Sequence, residues 1–140
     1  MNKVQENDDV RKLMDENSVK TTVLSYLMTI LYGVIAAISA MAGREMLETV
    51  AIKIIYGQDL EVSQYGGLKR IAQISAVVIF VLAWMLSFLV VWHKIERAGT
   101  LRQRVKVALV WIACAIALYA LFGLVQYLFV GYWPTLTGAV

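Results

Sequence analysis

Residues 21–43 read TTVLSYLMTILYGVIAAISAMAG, a run of 23 positions without a charged side chain. A helix rises about 1.5 Å per residue, and a bilayer's hydrocarbon core is about 30 Å thick, so about 20 such residues are enough to cross it. Two further runs pass the same test. Residues 71–92 read IAQISAVVIFVLAWMLSFLVVW, and residues 107–132 read VALVWIACAIALYALFGLVQYLFVGY. In lipid no water is available for backbone N–H and C=O groups, so each run must satisfy its own and is read as a helix. The fold class that follows is an all-α membrane protein with three transmembrane helices, over 21–43, 71–92 and 107–131.

Composition agrees. Of the 140 residues 60% are hydrophobic and 16% are charged, with a mean hydropathy of +0.68. Soluble domains carry about 45–50% apolar and about 25% charged residues. This balance excludes a disordered chain, a disulfide scaffold and a nucleic-acid module. The single cysteine, Cys114, cannot form an internal disulfide. Amphipathic rings stand at the borders, where water meets lipid. Trp92 and Trp111 face the second connection, and Tyr132 and Trp133 end the third span beside Pro134.

The net charge of +3 is a topology signal. The polar tail 1–20 carries Lys3, Arg11, Lys12 and Lys20. The connection 93–106 carries Lys94, Arg97, Arg102, Arg104 and Lys106. The connection 44–70 has only Arg44, Lys53, Lys69 and Arg70, and the tail 132–140 has no Lys or Arg. Nine cations against four place the N-terminus in the cytoplasm and the C-terminus outside. The expected location is therefore integral and multi-pass, in a bacterial cell membrane. The five cations of 93–106 are candidate contacts for lipid headgroups or for a partner.

Between the first two spans, Leu47, Val50, Ala51, Ile54 and Ile55 fall at helical spacing. They predict an amphipathic helix over about 44–56, lying in the outer interface or continuing the first span, and ended by Gly57. Residues 59–67, with Gly66-Gly67, read as a turn. In the N-terminal tail, Asp8 or Asp9 is a candidate cap for a short helix edged by Val10, Leu13 and Met14.

Lipid gives helices little hydrophobic reason to associate, so close packing relies on small residues. Such residues form candidate packing faces on every span. They are Gly33, Ala36, Ala37, Ala40 and Gly43 on the first; Ala72, Ala76, Ala83 and Ser87 on the second; and Ala113, Ala117, Ala120 and Gly123 on the third.

Chemistry inside the spans is sparse. None contains Asp, Glu, Lys, Arg or His, which argues against an ion-coupled carrier or a voltage sensor. His93 has no His or Cys cluster around it in sequence, so no metal, haem or other cofactor is expected. Glu45 and Glu48 read as a solvated face rather than as a catalytic pair, and no enzymatic activity is expected. The expected function is that of a non-catalytic subunit or accessory factor, with membrane lipids and either copies of itself or other membrane proteins as partners, and no nucleic acid. A holin-like pore or passive channel is the alternative.

Ala40-Met41-Ala42 has the A-x-A form of a signal-peptidase site. Cleavage after Ala42 would leave 140 − 42 = 98 residues and two spans. That layout resembles the conjugative (type IV secretion) pilins, and the resemblance implies a processed pilin-like subunit.

Overall fold

The computed structural model describes residues 3–57, 62–131 and 133–134. It contains three helices: α1 (Lys3–Tyr56), α2 (Val62–Arg97) and α3 (Leu101–Val130). All three are long and apolar enough to cross a membrane. They run up, down and up, with α1 between its two neighbours. Against α2 the pairs are antiparallel: Tyr26 with Trp92, Gly33 with Trp84, Glu48 with Gln73 and Tyr56 with Tyr65. Against α3 they are parallel: Ser25 with Arg104, Tyr32 with Trp111 and Glu45 with Gln126. Contact between α2 and α3 is much thinner.

Of the two readings of residues 44–56, the structure shows the continuation. Residues 44–56 are not a separate interfacial helix; they continue the first span without a break. Nothing between Gly43 and Tyr56 interrupts backbone hydrogen bonding, and the partly buried Leu47, Val50, Ala51 and Ile55 carry the packing surface onward. Gly57 does end the helix, its N–H reaching the carbonyls of Lys53 and Ile54 at 3.2 Å. At the other terminus neither Asp8 nor Asp9 is a cap, because the helix already runs from Lys3. Residues 7–20 are exposed throughout, Val10, Leu13 and Met14 included. At 54 residues α1 is about 81 Å long, far beyond the ~30 Å of a hydrocarbon core.

Gly66 and Gly67 are helical, not turn: α2 starts at Val62, and its first turns tolerate them in open space. The rest of the expected turn, 59–61, lies outside the described residues, as does Tyr132. The basic connection contracts to Ala98–Thr100, and most of its cations stand on helix ends. Thr100 caps α3 by accepting the Gln103 N–H, and Gly131 closes α3 in the left-handed conformation (φ 88°).

The pairings also fix the register. Ser25 meets Arg104, so the charge-free run of α3, starting at Val107, begins level with Met28. That of α2, ending at Trp92, stops level with Tyr26. The run of α1 starts at Thr21, so it is displaced by five to seven residues toward the α2–α3 connection. Two consequences follow. The hydroxyl-rich start of that run lies among charged helix ends, and Arg44, Glu45 and Glu48 lie level with apolar turns of α2 and α3.

Candidate functional site

The small residues of α1 act as seats for aromatic rings. A Cβ at Gly33 would stand 2.9 Å from Phe88 Cε2, and one at Gly43 would overlap Phe80 and approach Phe122 to 2.8 Å. Phe80 and Phe122 meet edge to face across that glycine, with ring centroids 5.6 Å apart. Trp84 donates its indole N–H to the Gly33 carbonyl at 3.0 Å. Ala36 is buried in the same core with Tyr32, Val91, Ile95, Ala108 and Ala115. Ala37 and Ala40 are half-buried.

On α2, Ala76 is buried, Ala72 and Ser87 are half-buried, and Ala83 is exposed at the mouth of a cleft. This cleft, of about 260 Å³, opens between α2 and α3; Ala36, Ser39 and Ala40 of α1 line it, with Phe80, Trp84 and Trp111 among the aromatic neighbours. Cys114 also borders it and is exposed.

On α3 the small residues divide. Gly123 is buried, but the nearest atoms facing it are the ring of Trp133, which folds back and donates its N–H to the Tyr119 hydroxyl at 3.2 Å. Ala113, Ala117 and Ala120 are exposed. At about 100° per residue these three fall within roughly 60° of one another, while Ala115, in the core, stands about 200° round from Ala117. The stripe therefore points away from α1.

A polar cluster absent from the sequence reading sits near the α1–α2 turn. Gln126 is fully buried and donates from Nε2 to Glu45 Oε1 at 3.1 Å. Gln73 donates to Glu48 Oε1 at 2.6 Å, and Arg44 lies 3.7 Å from Glu48 Oε2. Lys53 Nζ donates to the Phe129 carbonyl. Carboxylates facing apolar surroundings need donors, and the amide of each neighbouring span supplies one. Glu45 and Glu48 are thus tied into the bundle rather than forming a free outer face.

At the opposite end the five candidate cations part company. Lys94, Arg97, Arg102 and Lys106 are exposed. Lys94 lies 5.3 Å from the Trp111 ring centroid, a cation–π distance. Arg104 instead turns inward. Its Nε donates to the Ala98 carbonyl and its Nη1 to Ser25 Oγ, both at 2.9 Å. It lines a pocket of about 220 Å³ with Thr22, Ser25, Thr29, Glu96 and the Tyr26–Trp92 ring pair. His93 is exposed and borders a shallow cleft with Lys94, Arg97 and Lys106.

Among the described residues no three His, Cys, Asp or Glu side chains converge as a metal site would require. Ala40-Met41-Ala42 lies in mid-helix, with Ala42 fully buried. The chain matches no protein-family model, and comparisons with curated proteins and with solved structures find no match either.

Proposed function

We propose that this chain is a non-catalytic subunit or assembly factor of a membrane complex, joining other membrane helices through small-residue faces. The observation that carries the reading is the outward stripe Ala113–Ala117–Ala120. A face that meets only lipid has no use for small side chains, whereas a helix approaching closely needs them. Ala83 and the cleft between α2 and α3 offer a second surface of the same kind. The excess of Lys and Arg on the tail and the α2–α3 connection supports an inward N-terminus and an outward C-terminus. In that orientation residues 44–56 run through and beyond the outer interface as the end of the first span.

A pore finds less support. The buried Gln126 bonds to Glu45 of the same chain and the buried Thr29 to a carbonyl of its own helix.

Mass measurement of the chain extracted from its native membrane in mild detergent tests the proposal. The expected result is an oligomer, or a defined complex with other membrane proteins, that Ala117→Leu dissociates while helix content is kept. A monomer with no co-purifying membrane protein overturns it.

A further inference from the structure

We propose that the pocket beneath Arg104 holds the headgroup of a zwitterionic phospholipid bearing a primary amine, with its phosphate on Arg104 and its ammonium on Glu96. The pocket lies where the charge-free runs of α2 and α3 end, which is headgroup depth for a chain that crosses the membrane.

Its chemistry is divided in a way that matches such a ligand. Arg104 is half-buried and held in place by Ala98 and Ser25. Those two bonds use two of the guanidinium's five donors, leaving a fork suited to phosphate oxygens. Glu96 lines the same pocket, yet the ion pairs among the described residues are Lys20–Glu16 and Arg44–Glu48, so Arg104 and Glu96 are not in direct contact as an ion pair. Opposite charges held apart in one pocket favour a ligand that carries both signs.

A hydroxyl and a ring pair match the cationic end of the ligand. Thr22, Ser25 and Thr29 donate their protons to the carbonyls of Ser18, Thr21 and Ser25, at 3.0, 2.8 and 2.8 Å. The Ser25 oxygen already accepts from Arg104 Nη1 and Thr29 is buried, so the Thr22 oxygen is the acceptor left for a ligand. Acceptors suit an ammonium with N–H groups and do not suit a phosphate. The Tyr26 and Trp92 rings, with centroids 5.3 Å apart, form a wall that also favours a cation. An anionic headgroup without an amine would leave Glu96 and the Thr22 oxygen unmatched. A choline headgroup has the charge but no N–H.

Native mass spectrometry of the full chain, incubated with mixed micelles of equal phosphatidylethanolamine, phosphatidylglycerol and phosphatidylcholine, tests this. Ethanolamine lipid should be retained roughly tenfold over each competitor, the scale of one charge-assisted hydrogen bond. Glu96 is exposed, so Glu96→Gln should fold normally and bring the ethanolamine-to-glycerol ratio close to one. Arg104→Gln should weaken all three lipids. Equal retention of the three by the unaltered chain overturns the proposal, as does an undiminished ethanolamine preference in Glu96→Gln. Displacement of the lipid by an equal concentration of water-soluble phosphoethanolamine overturns the membrane source.

Discussion

Replacing Gly43 with Ala tests whether the helices are held by ring-on-glycine contacts. The added Cβ overlaps the Phe80 ring and falls 2.8 Å from Phe122 Cε2, where carbon atoms prefer about 3.5–4.0 Å. The two rings brace each other edge to face, so neither can retreat without disturbing the other. Overpacking of this kind costs about 1–3 kcal/mol. Alanine returns about 0.8–1.0 kcal/mol in helix propensity. The net expectation is a loss of about 0–2 kcal/mol against the unaltered chain, and of about 1–3 kcal/mol against a Gly→Ala change at an open helical site. Gly67→Ala is the matched control: the site is helical and exposed, and a Cβ there meets nothing within 4 Å. It should gain up to about 1 kcal/mol. Unfolding in mixed micelles of rising dodecyl sulfate, followed by tryptophan fluorescence, reads both. Trimming the ring in Gly43→Ala/Phe80→Leu should recover part of the loss. If Gly43→Ala gains as much stability as Gly67→Ala, the glycine is not a seat and the reasoning fails.

Two other expectations concern the polar joints and the helix ends. A double-mutant cycle on Glu48→Ala and Gln73→Ala should give a coupling of about 1.5–3 kcal/mol, the range for a hydrogen bond to a charged group; additive effects would mean the 2.6 Å contact contributes nothing. Gly131→Ala should fray the end of α3, because a left-handed residue with a Cβ costs about 1–2 kcal/mol. Faster amide exchange confined to about the last turn is the expected signature, and unchanged exchange there would refute it.

The three long apolar helices were legible in the sequence because each holds more than twenty residues without charge, a coarse signal that leaves no polar face for water. Between a helix on the membrane and a continuation of α1, residues 44–56 alone did not decide. Arg44, Glu45, Glu48 and Lys53 resemble the polar face of a helix lying on the membrane, and only the partners of Glu45, Glu48 and Lys53 on α2 and α3 identify those three as joints between helices. Those partners stand 25 and 81 positions away for Gln73–Glu48 and Gln126–Glu45. A signal did exist. Gln73 and Gln126 are the only amide side chains inside the charge-free runs, and the topology brings both to the end where Glu45 and Glu48 stand. Gly66-Gly67 misled because a glycine pair marks a turn only where the chain has a reason to reverse, and α2 had already started at Val62. The basic residues of 93–106 were found as a group, but the inward turn of Arg104 depends on the displaced register of α1, which the composition of α1 alone does not contain.

The unbroken run of α1 makes it a mechanical element as well as a span. Its free arm, residues 7–20, and its packed segment share one hydrogen-bonded spiral, with no joint to absorb a twist. The angular phase between the Val10–Leu13–Met14 edge and the ring seats at Gly33 and Gly43 is therefore set by residue count alone. One residue added to the arm would swing that edge by about 100° and lift it by about 1.5 Å, leaving every contact in the bundle unchanged. Whatever grips the arm holds the whole bundle by a keyed shaft.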